Sequence, residues 1–290
     1  MVIKPKLTVI TINYNNSAGL DQTLRSVRQQ SNRNFEYLIV DGGSTDDSLS
    51  IIQKNLDIIS RWSSEKDNGE YDGMNKGIRQ ARGKYLMFLN SGDTFFDENS
   101  VNNLLSIDFT EDFVFGDVCI DYGYTMKIKK YPDTLGYWFL YSEMICHQVQ
   151  VIRAQLFHKL GGYNTKIKIV ADYDFMIHAL VGKKVSYRHV SHTLAIYRWG
   201  GKSTQPEAAE IIRQGKESIR KNYFSKQMYS VLQEFDRTTF THYQQLKQSR
   251  AYQALRAMEH VPGLLWMISA AASFALRLRD IFSAFRQRSK

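Results

Sequence analysis

At 290 residues, 43% hydrophobic and 23% charged, the chain has the make-up of an ordinary folded protein, which excludes a disordered or low-complexity tract. Its 38 basic side chains against 29 acidic ones leave a formal charge of +9, favouring an anionic partner such as nucleotide phosphate, nucleic acid or an acidic membrane surface. Cys119 and Cys146 lie far apart without metal-ligand spacing, so a disulfide framework is excluded and a reducing compartment is expected. The first six residues hold no apolar stretch of signal-peptide length, so the folded part is expected in the cytoplasm.

Leu7-Thr-Val-Ile-Thr-Ile is a β-branched apolar run ending in polar turn formers, a strand that delivers Asn13 to Asn16 to its C-terminal rim. Leu20, Leu24 and Val27 then recur at helical spacing, with Ser17 placed to cap the helix. A second strand, Phe35 to Val40, ends at Asp41, and Asp41-Gly-Gly-Ser-Thr-Asp-Asp opens the next helix. Glycines there let backbone approach a ligand, and the helix N-terminus that follows favours anions. Strand, helix, strand, helix in this order implies a parallel sheet with right-handed crossovers. Neither the phosphate-loop nor the dinucleotide fingerprint occurs after a strand, so a nucleotide must be held by other means.

Ser64 to Ile78 is too polar and glycine-rich for core and offers Asp67, Asp72, Asn75 and Lys76; a solvated loop leading into a helix is the rival reading. Tyr85 to Leu89 is a continuous apolar run, read as a strand buried on both faces, and it stops at Asn90-Ser-Gly-Asp. In an open α/β sheet ligands bind at that rim, which makes Asp93 the first place to look for chemistry, with a plain turn as the alternative. A helix near Asn99 to Leu105 and a strand near Phe113 to Val118 follow, whereas Met126 to Tyr141 shows no clean period. Cys146 to Arg153 alternates like a strand with His147 near its start, and a lone histidine of this kind is usually a satisfied structural one. Gly161 is placed as a helix C-cap. Ala171-Asp-Tyr-Asp begins another helix whose acids Asp172 and Asp174 also suit capping and dipole roles. Strands are expected over Val185 to Val190 and Leu194 to Tyr197, then a flexible basic segment, Gly200 to Thr204, able to close over an anion.

Taken together, Asn13-Tyr-Asn-Asn, Val40-Asp-Gly-Gly-Ser-Thr-Asp-Asp, Asp67-Asn-Gly, Asp72-Gly-Met-Asn-Lys-Gly-Ile, Ala81-Arg-Gly-Lys-Tyr-Leu-Met-Phe-Leu-Asn-Ser-Gly-Asp and Ala171-Asp-Tyr-Asp stand in the order found in glycosyltransferase family 2. The chain most resembles the bacterial branch that builds exopolysaccharide, including colanic-acid-type enzymes, over roughly residues 5 to 205. The resemblance implies a GT-A fold, Rossmann-like and α/β with a mostly parallel central sheet flanked by helices, and an inverting transfer from a nucleotide-sugar. It implies that Thr11, Asn13, Tyr14, Asp41, Asp72, Lys76, Asn90, Ser91 and Gly92 serve the nucleotide-sugar, that Asp93 binds Mg²⁺ or Mn²⁺, and that Asp172 is the catalytic base. Where relatives often read Asp-Ala-Asp-Asp this chain has Asn90-Ser-Gly-Asp, so a single carboxylate remains for the metal.

From Gln205 the chain turns helical and polar. The resulting division is a catalytic domain over 1–205, a helical extension over 206–249 and a basic amphipathic tail over 250–290. That tail carries seven basic residues against two acidic ones around an apolar stretch, Val261 to Leu276, shorter than the ~20 residues needed to span a bilayer. A helix lying in an anionic membrane interface is expected, with docking on the catalytic domain as its rival. The implied setting is the cytoplasmic face of a bacterial inner membrane, with a lipid-linked saccharide as acceptor and no nucleic-acid partner. Two other functions compete: a sugar nucleotidyltransferase, although Thr11 to Gly19 lacks its glycine-rich basic loop, and a nucleotide- or lipid-surface-binding protein without catalysis.

Overall fold

The computed structural model describes residues 4–248. Uninterrupted apolar and β-branched runs become its innermost strands: β1 (Leu7–Asn13) and β2 (Glu36–Asp41) are buried at every position, as strands covered on both faces must be. They are joined by β3 (Arg61–Ser64), β4 (Tyr85–Phe88), β5 (Thr94–Phe95), β6 (Phe113–Asp121), β7 (Met126–Lys129), β8 (Gln150–Arg153) and β9 (Tyr187–Arg198). One sheet results, ordered β3-β2-β1-β4-β8-β6-β9-β5, with β7 paired to β6 off this path. The helices are α1 (Ser17–Arg28), α2 (Ser48–Lys54), α3 (Glu70–Gln80), α4 (Ser100–Ser106), α5 (Tyr137–Ser142), α6 (Ala154–Leu160), α7 (Ala171–Ile177), α8 (Ala208–Tyr223) and α9 (Lys226–Gln248).

Strands β3, β2, β1 and β4 are mutually parallel, each return made through a helix as parallel pairing requires. Beyond β4 the sheet is mixed: β8 runs antiparallel to both β4 and β6, while β9 is parallel to β6. This reversal decides what reaches the rim. Parallel strands bring their C-terminal ends there, and an antiparallel neighbour brings its beginning. Residues 147–149 form a single 3-10 turn leading into β8, so His147 and Gln148 arrive beside the end of β4.

The register also aligns the polar ends. Asn13 pairs with Asp41, and Asp41 with Ser64, across three adjacent strands. Beneath the rim, Phe88, Phe157, Tyr163 and Phe175 form an aromatic cluster, with the Phe157 and Phe175 rings stacked at 4.5 Å and the Phe88 and Tyr163 rings at 5.8 Å. These contacts fix α7 against the sheet.

Local outcomes differ from the sequence expectations in two places. The α1 cap is Asn16, whose side chain accepts from the Gly19 N–H at 3.2 Å, rather than Ser17, which is already helical. The two strands expected after Val185 are one, β9, which stays paired to β6 through register shifts around Asp117. The first compact unit ends at Tyr229, so α8 belongs with the sheet. The tail expected over 250–290 lies outside the described residues. No helix among the described residues is long and apolar enough to cross a membrane.

Candidate active site

Asp41 anchors one side of the rim. Its carboxylate is fully buried and accepts from Asn13 Nδ2 (2.8 Å), Ser44 Oγ (2.5 Å), Ser44 N (2.9 Å), Gly43 N (3.1 Å) and Ser64 Oγ (2.7 Å). Burial alone would raise its pKa, but hydrogen bonds from Ser44, Ser64 and Asn13 outweigh it and hold the acid below the usual carboxylate range. Asn13 in turn accepts from Ser91 Oγ at 2.7 Å, tying the end of β1 to the turn after β4. Asn13 and Asp41 therefore support the cleft wall from behind. The nearby wall itself carries Tyr14, Asn16 and Asp67. Gly42 allows this packing, because a Cβ there would lie 2.5 Å from an Asp67 carboxylate oxygen.

Asn90, Ser91, Gly92 and Asp93 line a cleft of about 780 Å³. Gly92 has φ +103°, a backbone that side chains resist, and this turns the chain so that Asp93 points back under the rim. Asp93 is 8% exposed, and burial pushes its pKa up to about 6 against the lowering influence of His147 and a hydrogen bond from Gln148 Nε2 at 3.0 Å. Asn90 donates to Glu70 Oε1 at 2.9 Å, while its own Oδ1 is buried without a partner.

Asp172 enters from the first turn of α7 and is 6% exposed. Its Oδ1 accepts from the Tyr173 N–H at 2.9 Å and lies 3.1 Å from the Tyr71 hydroxyl, whose single proton it shares with the Ile169 carbonyl. Its Oδ2 faces His147 Nδ1 at 3.5 Å. Burial would lower the His147 pKa, but Asp172 opposite raises it above the ordinary value. Burial, with Asp172 beside it, pushes the Tyr71 phenol far up, so the hydroxyl stays protonated. Successive residues thus hold the two acids: His147 faces Asp172 and Gln148 binds Asp93.

Across the cleft, Lys168, Arg198 and Lys216 add positive charge. Lys216 rests its ammonium over the Tyr173 ring, 5.1 Å from the centroid, and burial lowers its pKa.

Three of the residues expected to serve a ligand lie elsewhere. Thr11 is core, with its hydroxyl on the Leu89 carbonyl and the Tyr37 hydroxyl. Asp72 turns away on α3 to accept from the Asn68 N–H, and Lys76 is taken up by the Lys66 carbonyl and Glu65. Helical phase explains the miss: Tyr71, one position earlier and about 100° round the helix, is the residue that faces the site. His147, read from the sequence as structural, and Gln148, Glu70 and Tyr71 are additional cleft residues. Gly200, Gly201 and Ser203 of the basic segment also line the cleft.

Comparison with known proteins decides the family. The sequence profile of glycosyl transferase family 2 matches residues 8–157, slightly more than half the chain. The chain belongs to glycosyltransferase family 2. An uncharacterized glycosyltransferase of Mycobacterium tuberculosis is 32% identical over 200 residues, covering 66% of this family 2 chain and 75% of its own length. A PGL/p-HBAD biosynthesis glycosyltransferase of Mycobacterium bovis is 29% identical over 228 residues, covering 74% and 86%. Among solved structures, S. aureus TarS in complex with UDP-GlcNAc matches with a TM-score of 0.61 at 16% identity, over 78% of this chain and 70% of that one. Mannosyltransferase PcManGT from Pyrobaculum calidifontis, in complex with GDP-Man and Mn²⁺, matches with 0.59 at 16% identity, over 95% and 81%. At such identities the likeness shows the GT-A fold alone.

Proposed function

We propose that this family 2 glycosyltransferase moves a sugar from a nucleoside-diphosphate donor to a hydroxyl of a lipid-linked saccharide, with inversion, at the cytoplasmic face of a bacterial membrane during exopolysaccharide synthesis. The observation that supports it most is the pairing of two buried acids, Asp93 and Asp172, through the adjacent residues Gln148 and His147 in one cleft. An acceptor hydroxyl is a poor nucleophile until its proton is removed, and Asp172 is the base. Tyr173 N–H and Tyr71 hold Oδ1, which leaves Oδ2, beside His147, to receive the proton in a single in-line displacement. His147, charged more readily next to Asp172, steadies that carboxylate. Lys168, Arg198 and Lys216 lie where a departing diphosphate would find counter-charge.

The residues at the end of β4 also fit a divalent cation. Asp93 offers one carboxylate and Asn90 an unpartnered buried carbonyl oxygen, a small donor set of the kind that Mg²⁺ or Mn²⁺ completes with substrate phosphate and water. No group of three acidic, histidine or cysteine ligands exists among the described residues, and in this reading substrate phosphate and water would complete the ion's shell. When bound, the ion would neutralise charge on the leaving diphosphate.

The test is nucleoside diphosphate release across a panel of UDP-, GDP- and dTDP-sugars. Asp172→Asn should cut kcat by about 10²–10⁴-fold with little change in donor KM, as loss of a general base does. Near-normal turnover by that variant would remove Asp172 from the role.

A further inference from the structure

The most exposed apolar surface of the first unit lies on the β6–β7 hairpin, which the transfer chemistry leaves unused. Among the described residues, β7 pairs with β6 alone. Tyr124 is 89% exposed, Met126 53% and Ile128 50%. Met126 and Ile128 alternate along β7, so they share one face of an edge strand and turn it to solvent, and Tyr124 stands exposed in the turn just before it. An edge of this kind invites association unless something covers it.

The apolar strip continues to the cleft. The Tyr122 ring lies 6.3 Å from that of Tyr124 and 5.3 Å from that of Trp199, whose indole is half exposed. Trp199 is held by its backbone N–H, which donates to the Asp121 carbonyl at 2.8 Å, and it also lines the cleft that holds Asp93 and Asp172. From Tyr122 through Lys130 there are three lysines and no acid. Lys129 pairs with Glu143 at 2.7 Å, whereas Lys127 and Lys130 have no carboxylate within ion-pair distance among the described residues.

Three features choose the occupant. Amphipathic rings and exposed aliphatic side chains, with Lys127 on the other face of the same edge strand and Lys130 just beyond it, are what a bilayer interface takes. A glycan would find no hydrogen-bonding group on Met126 or Ile128. A second copy paired edge to edge would bring like charges together along β7. We propose that the β6–β7 hairpin and Trp199 form a membrane-docking edge that seats the mouth of the cleft on an anionic bilayer. A lipid-carried acceptor then meets Asp172 without leaving the interface, a step that rests on the acceptor proposed above.

Amide hydrogen exchange of the full chain, with and without vesicles of equal parts phosphatidylglycerol and phosphatidylcholine, tests the docking itself. Exchange over 122–130 and at 199–201 should slow by at least about fivefold on these vesicles and recover in high salt or on pure phosphatidylcholine. The triple variant Tyr124→Ser, Met126→Ser, Ile128→Ser should lose that protection while its nucleoside diphosphate release without vesicles stays at the wild-type level. Slowing confined to 250–290, slowing of the hairpin that depends on protein concentration and not on vesicles, or equal slowing on pure phosphatidylcholine would each overturn the proposal. Absence of nucleoside diphosphate release by the wild type with every donor would instead strike the glycosyltransferase mechanism and leave the exchange result standing.

Discussion

Asp41 and Asp93 stand at the same sheet edge and are both hidden from water, yet their surroundings are opposite. Asp41 takes five hydrogen bonds from its own loop and neighbours, enough to hold its pKa down despite burial. Asp93 draws on the charge of His147 and one hydrogen bond from Gln148, and burial prevails, raising it to about 6. A shift of that size is about 3 kcal/mol against the charged form. The contrast separates a carboxylate whose charge its own neighbours satisfy from one whose charge they leave largely uncompensated.

The largest effect expected from this contrast is on stability at Asp41. Asp41→Ala strands Asn13, Ser44 and Ser64 donors in a buried row and should cost about 3–5 kcal/mol in a denaturant titration. Asp93→Asn should go the other way, raising the unfolding midpoint by up to about 3 kcal/mol equivalent while weakening Mn²⁺-dependent donor binding in calorimetry. If both variants destabilise alike, the contrast fails.

The pH dependence sharpens it. The folded-state pKa of Asp93 lies above the unfolded value of about 3.9, so the folded protein holds the extra proton and stability falls as pH rises from about 4 through about 6. Asp41 has the reverse sign: its contribution is present above the unfolded pKa and is lost as pH falls through its lowered folded value. The stability gain of Asp93→Asn should therefore be full at pH 7, shrink at pH 5 and vanish near pH 4, whereas the loss from Asp41→Ala should fade only at more acidic pH. Thermal scans of wild type and both variants across this range check the two slopes. The smallest effect is at Tyr71→Phe, which removes one hydroxyl from Asp172 and should lower kcat by several-fold, about 1 kcal/mol, with donor KM unchanged.

The half of the site that was legible in the sequence consists of chain ends. Asn13 and Asp41 follow an apolar run directly and Asp93 ends the short polar turn after one, so strand-end logic placed them at one rim without knowledge of any long-range contact. What was not legible depends on direction and phase. His147 reaches the rim because β8 runs antiparallel to β4, and nothing in Cys146 to Arg153 specifies that reversal. Tyr71 and Asp72 differ by one helical position, and which of them faces the cleft depends on how α3 packs, with Tyr71, Gly73, Met74, Gly77 and Ile78 buried. Thr11 sits between strand neighbours whose partners, Tyr37 and Leu89, are distant in sequence. The irregular stretch after Met126 became β7 and α5, and the exposed edge that Met126 and Ile128 form is visible only once its pairing with β6 is known.

The peptide bond between His147 and Gln148 has a consequence for altering this enzyme. Since neighbouring residues serve opposite acids, a backbone displacement that re-aims one must drag the other, and the two halves of the transfer cannot be tuned independently. With the roles proposed above for Asp93 and Asp172, changes near His147 made to alter the acceptor side would carry a correlated penalty on the donor side, and variants that escape this linkage should arise on α3 or α8 instead.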